Sequence, residues 1–310
     1  MKLRLLITLT AVLTLTAVVT ADKVDLNLIG ADAAWFTHFD MQKFDGSALN
    51  KIADSRGLAA KCEEIKNYIG LDLIKDITEV TMYGSIEAPK DAAAIIKGRL
   101  DPKNLTALAE KQPEYSASQY EGFTIHTWKS GKGEVKSGCF YNSGTLVMSK
   151  SKESIIAALD VLGGKSPNIA KAGCITSQDA IFQLYMADAS SISSKSEHLM
   201  FLANVKKTLL AIGQKDSDVF SELIMQADTA DNAVLLDQMI QGLLAMGQMQ
   251  AAQQNQSALE VIKKISVNTE DTTVVTSVVL TTDEIDQIIA SKNPAFSKIC
   301  KSLRNGCGEN

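Results

Sequence analysis

After its first two dozen residues this sequence has no stretch long and apolar enough to cross a membrane as a helix, which takes roughly 20 residues. It has no block of like charge, which argues against nucleic acid and anionic membrane surfaces as partners. It lacks CxxC and CxxCH, so a thioredoxin-like redox site and covalent haem attachment have no handle. Neither GxSxG nor HExxH occurs, which removes the nucleophile elbow and the helical zinc-protease motif. "LGGKSP" at 162–167 looks like the tail of a phosphate loop, but Leu159 stands where GxxxxGK[ST] needs glycine, and a helix end followed by a linker explains it better. No cofactor and no metal site is therefore expected.

The chain does carry an export signal in form. Lys2 and Arg4 precede an acid-free apolar run from Leu5 to Val19, and Val19-Thr20-Ala21 offers small residues for cleavage, so residues 1–21 read as a signal peptide. Position 22 is Asp, so the lipid-modified cysteine of a bacterial lipoprotein is missing at the expected place. Cleavage would leave 289 residues with 29 basic and 36 acidic side chains, a balance of −7, bound for the periplasm or the extracellular space. That length supports real cores without disulfides. Five cysteines remain, an odd number where disulfides can form, so at least one is unpaired or pairs between chains. Cys300 and Cys307, close together in "CKSLRNGCGEN", are the candidates for a small bridged loop, the alternative being two free thiols on a frayed end.

Hydrophobic periodicity divides the remainder into strands and helices. "AWFTHFDM" reads as a strand, and residues 45–70 read as two helices broken at Gly57. "ITEVTMYGS" and "AAAIIKGRL" are strands, the second running into a helix with Asp101 as N-cap and Pro102 at its first position. Residues 115–149 alternate and carry "EG", "SGKG" and "NSG" turns, an antiparallel meander closed by a capped helix at about 152–162. Then the order starts again: a strand at 180–188, a Ser-rich turn, a helix from about Ser196 to Ile212, the strand "FSELIMQAD" and a long helix. A hairpin turning at "NTED" and a helix opened by the Thr281/Glu284 capping box finish the chain.

The two halves share a pattern. "FTHFDM" aligns with "FQLYMAD", "IIKGRLDPKNLTALA" with "LIMQADTADNAVLLDQM", and "TLVMSKSKESIIAAL" with "SVVLTTDEIDQIIA". The expected architecture is α+β: two related units, each a mainly antiparallel sheet with helices packed on one face. The units are placed at 22–165 and 174–292, joined by a linker at 166–173 and followed by a cysteine-containing tail at 293–310. Any α+β protein contains several strand-to-capped-helix steps, and that is the competing explanation of the repeat.

Two groups of side chains are candidates for function. His38 and Asp40 leave one strand on the same face, and His126 lies on another strand, so two imidazoles and a carboxylate are candidates to meet at one ligand or metal. The structural alternative is a core histidine, with Asp40 or Asp45 capping the next helix. In residues 235–256, Leu236, Met239, Ile240, Leu243 and Leu244 form an apolar stripe opposite glutamines, and Met246 and Met249 extend it with flexible, polarisable side chains suited to an adaptable contact. The alternative there is a core helix with a frayed polar end.

The start "AAWFTHFDMQKFDGSALNKI", the step Gly70, Asp72, Asp76 and Ile77 in "IGLDLIKDITEVTMYG", and the close "TTVVTSVVLTTDEIDQII" resemble exported proteins of unassigned activity in planctomycete and verrucomicrobial bacteria. The resemblance implies a strand, helix and hairpin order and carries no activity or site residue. The reading is a non-catalytic exported protein working by surface contact with an envelope partner or with itself. The rival is a small-molecule binder or unfamiliar enzyme with a cleft between the two units.

Overall fold

The computed structural model describes residues 24–86, 91–131, 133–190, 202–254 and 256–290. The fold is α+β. Among the described residues twelve strands form one continuous sheet, in the order β11-β12-β10-β9-β8-β1-β2-β3-β7-β6-β5-β4. They are β1 (Trp35–Asp40), β2 (Ile77–Gly84), β3 (Ala93–Gly98), β4 (Ser116–Tyr120), β5 (Phe123–Lys129), β6 (Val135–Asn142), β7 (Thr145–Ser149), β8 (Ala180–Ala187), β9 (Val205–Lys215), β10 (Asp218–Ala227), β11 (Ser266–Glu270) and β12 (Thr273–Leu280). Each neighbouring pair is antiparallel. The helices of the described residues are α1 (Met41–Phe44), α2 (Ala48–Asp54), α3 (Leu58–Ile69), α4 (Pro102–Glu110), α5 (Lys152–Leu162), α6 (Ala230–Gln254), α7 (Gln256–Lys264) and α8 (Thr282–Ala290).

The two halves meet where β1 pairs with β8, and there is no break in the sheet at that seam. Side chains alternate between faces along each strand. On the first face Phe36 stands between Tyr83 and Tyr185, and its ring stacks on Tyr185 with centroids 5.0 Å apart. From there the buried row runs through Ile95, Val147 and Cys139, covered by Ile155, Ala158 and Leu159 of α5. Leu209 and Ala211 of β9 belong to the same cluster, so one core crosses the seam. On the second face α6 covers Met225 and Val274 with Ala233 and Leu236, while in the first half Leu71 and Ile77 pack with Ile96 and Leu100.

Local chemistry sets the helix boundaries. Gly57 and Gly70 adopt the left-handed conformation (φ +88° and +72°) at the two ends of α3, which glycine reaches without a Cβ clash. Asp101 accepts from the backbone N–H groups of Lys103 and Asn104 at the start of α4, and Ser151 does the same for Ser154 at α5. Thr281 and Glu284 form the reciprocal capping box of α8. The Gly70/Asp72/Asp76 step is a self-capped turn: Asp72 accepts from Ile74 and Lys75, Asp76 accepts from Asp72, and Arg99 pairs with Asp76 at 2.9 Å.

Two expectations change. The helix expected from about Ser196 to Ile212 is a strand from Val205 onward, paired on both sides with β8 and β10. Its run Leu209-Leu210-Ala211-Ile212 is apolar without period, and such short runs suit a strand packed on both faces as well as a helix. Residues 166–173, read as a linker, are built into the structure. Ile169 is buried in the shared core, its N–H donates to the Ile29 carbonyl, and Asn168 forms a β-bridge with Gly30.

Candidate binding pocket

His38 and Asp40 do share a face of β1, as their spacing requires, but each already has structural partners. The His38 ring is buried, with Nδ1 2.9 Å from the Thr81 hydroxyl on β2. Burial pulls its pKa below the ordinary 6.5 despite the carboxylates of Glu79 and Asp40 nearby, which keeps the ring neutral. Asp40 caps α1, accepting from the Lys43 N–H at 2.9 Å and pairing with the Lys43 ammonium at 3.2 Å. His126 lies on β5, five strand spacings from β1, or about 24 Å at the usual ~4.8 Å separation. The registers also put it on the opposite face: Gly138 opposite His126 shares its face with Met148 and Ala94, whereas His38 shares the Ile95 and Val147 face through Thr81. The three side chains do not converge, and the described residues contain no cluster of His, Cys, Asp and Glu able to hold a metal.

His126 instead lines a pocket of about 410 Å³ on the second face of the first half. The floor is sheet: Ile77, Ile96, Leu146, Met148, Phe140 and Trp128, with Gly138 among them. The roof is α4, through Leu105, Leu108 and Ala109, with Gln112 just beyond its end. Tyr68 and Ile69 of α3, with Leu71 and Leu73, form one side. No lining residue is an acid, a lysine or an arginine.

Each wall explains why the space is not filled. Gly138 offers no side chain at the centre of the floor, and the nearest atoms to where its Cβ would stand are Trp128 ring carbons at 3.5 and 3.6 Å, ordinary contact distances. Helix α4 turns Leu105, Leu108, Ala109 and Gln112 inward at i, i+3, i+4 and i+7, yet only Ala109 is buried. Helix α3 has no buried residue at all, and Tyr68 is 71% exposed at the rim. Helix α4 thus meets the sheet chiefly beside β5 and α3 stands off it, the two helices tied by the Asn104 amide, which donates to the Ile69 carbonyl at 2.8 Å.

Polar groups in the lining are few and uncharged. His126 Nδ1 and the Tyr115 hydroxyl lie 2.9 Å apart and their rings stack. Partial burial pulls the His126 pKa below the ordinary value, so the imidazole faces the pocket neutral, as a hydrogen-bonding group and not a cation. Thr106 and Gln112 add a hydroxyl and an amide. A mostly apolar cleft with a few placed polar groups, of roughly 300–1,000 Å³, is the usual form of a small-molecule site.

The methionine helix is a separate surface. Met239, Met246 and Met249 are 48%, 64% and 64% exposed on α6, together with Leu235 and Leu243, while Leu236 on the other side is buried in the core. Cys300 and Cys307 lie outside the described residues; Cys62, Cys139 and Cys174 are free thiols, and burial pushes that of Cys139 up to about 11. Sequence reasoning singled out His126 and missed the pocket, whose signals are the glycine at 138 and the helical spacing of Leu105, Leu108 and Gln112. No helix of the described residues is long and apolar enough to cross a membrane.

Neither a protein-family model nor a curated protein matches the sequence. Solved structures of TP0453, a Treponema protein, are similar in chain course. Crystal form III aligns with 11% identity over 86% of this chain and 97% of that one, with a TM-score of 0.48, and crystal form I with 11% identity and a TM-score of 0.45. The likeness is to the trace of the chain and carries no residue role across.

Proposed function

We propose that this chain is an exported, non-catalytic binding protein that takes a small, uncharged, mainly apolar molecule into the pocket beneath α4. The observation that carries the reading is the pocket's composition: about 410 Å³ bounded by leucine, isoleucine, methionine and aromatic side chains without one formal charge. An apolar ligand entering it removes its own surface and that of half-buried leucines from water, at about 25 cal/mol per Å². Neutral His126, its Nδ1 already bonded to Tyr115, and the Gln112 and Thr106 side chains would orient one polar group of the ligand. The basic start, the apolar run and the small residues at 19–21 support export. Descent of the two halves from one unit is supported by the strand order, β1-β2-β3-β7-β6 on one side of the seam and β8-β9-β10-β12-β11 on the other.

The test uses the pocket's own tryptophan. The chain has two, Trp35 and Trp128, so Trp35→Phe leaves Trp128 as the sole reporter. Titration with N-phenyl-1-naphthylamine, an uncharged apolar dye, should quench Trp128 saturably with one dye per chain. Gly138→Leu, whose side chain starts in open contact distance and fills the floor, should abolish the signal while leaving the fold intact by circular dichroism. Quenching that never saturates, or that survives Gly138→Leu, would sink the assignment.

A further inference from the structure

We propose that α6 is also a docking surface, and that its occupant is α6 of a second copy of this chain, packed antiparallel about Gly242.

The helix is apolar on two sides. One side, with Ala233, Leu236 and Ala251, is buried against the chain's own sheet and α7. The other side carries Leu235 (54% exposed), Met239 (48%), Leu243 (58%), Met246 (64%) and Met249 (64%). An apolar helix side is normally covered, and the described residues cover one of the two. The exposed side chains amount to a patch on the order of 600 Å², the upper end for the largest apolar patch of a monomer. With the flanking glutamines added, that approaches the ~800 Å² per partner of a standard interface.

Spacing and charge identify the occupant. Leu235, Met239, Gly242, Met246 and Met249 follow one another at intervals of four, three, four and three, the seam of two helices packed side by side. Gly242 sits at the middle of the seam, with nothing within 4 Å of where a Cβ would stand, so two helices can approach closely there. Leu235 and Met249 lie seven residues to either side of it, so an antiparallel two-fold sets Leu235 of each copy against Met249 of the other, a closed isologous contact. No lysine or arginine occurs in α6, and Asp231 and Asp237 are its only acids. Helices that lie on lipid surfaces carry basic residues on their polar side, and a charged protein partner would find nothing to pair with between Gln238 and Gln253. In the self-pair the two Asp237 carboxylates stand ten residues apart along the axis, about 15 Å at 1.5 Å per residue. That exceeds the ~8 Å screening length at physiological salt, so the like charges do not oppose the contact.

Sedimentation velocity of the purified protein across the micromolar range should show a monomer giving way to a dimer. Leu243→Asp with Met246→Asp, both at exposed positions, should hold it at the monomer mass with an unchanged circular dichroism spectrum. Under mild oxidation Gly242→Cys should give a reducible dimer beyond the wild-type background, and Met249→Cys alone should not, because its counterpart is Leu235. A monomer at every concentration overturns the proposal, as does a dimer that survives both aspartates. Equal cross-linking by Met249→Cys overturns the antiparallel register. Flotation of a monomeric protein with uncharged phosphatidylcholine vesicles also overturns it and assigns the face to lipid.

Discussion

At the end of β3 the chain passes through Asp101 and Pro102 into a helix of nine residues; at the end of β10 it passes through Thr229, which accepts from the Asn232 N–H, into a helix of 25. Both helices lie over the second face of the sheet. Over the second half the fit is closed: Leu236 of α6 is 3% exposed and Val274 beneath it 0%. Over the first half the fit is open, with a pocket where the short α4, packed beside β5, and the unburied α3 leave part of a floor that includes Gly138 uncovered. The same strand-to-helix step therefore gives a closed layer in one half and an open one in the other. The long helix that fills its layer also carries a second apolar side, the methionine stripe, turned away from that layer. The comparison teaches that a pocket need not be added to a fold; a short covering helix and one floor position without a side chain leave it open.

The sharpest way to break this contrast is truncation of the matching leucines. Leu236→Ala in the closed layer should cost about 2–5 kcal/mol, the usual loss for a buried leucine. Leu105→Ala, which enlarges a space already open, should cost under about 1 kcal/mol. Equal losses in urea unfolding would mean that the first-half layer is packed in solution. The next effect tests the seam between the halves. His38 is held neutral, its folded pKa below the unfolded 6.5, so the stability it confers is present above about pH 6.5 and is lost as pH falls toward the folded value. Unfolding midpoints should drop between pH 7.5 and 5, and His38→Asn should flatten that slope; an unaltered slope would show that the ring is not what titrates. The smallest effect concerns the helices that end each half: Ser151→Ala at α5 and Thr281→Ala at α8 should each cost about 1 kcal/mol. A marked inequality would show that the two end helices are not equivalent supports.

How much of this was readable from the sequence follows the range of the interactions. Caps are local: Asp101, Ser151 and Thr281 each act within three residues of themselves, and each helix starts where they mark it. The meander was legible because alternation and turn glycines are also local. Strand β9 was not, since its apolar run acquires strand character only from β8 and β10 on either side. The pocket was illegible for the same reason. Gly138 is one more glycine of the meander until β5 and β7 set His126 and Met148 next to it and α4 is laid above. Asp40 and His38 drew attention by chemistry, but burial and a helix cap absorb both.

The seam has a consequence for the order of assembly. β1 is hydrogen-bonded on one edge to β2 and on the other to β8, whose first residue lies 140 positions beyond the end of β1. A chain that folds amino end first completes the β1–β2–β3–β7–β6–β5–β4 array while the far edge of β1, with the Phe36 ring behind it, still awaits a neighbour. An unpaired edge of that kind is a template for the wrong strand, from another copy as readily as from its own. Until residues 180–187 arrive, that edge of β1 has no partner of its own.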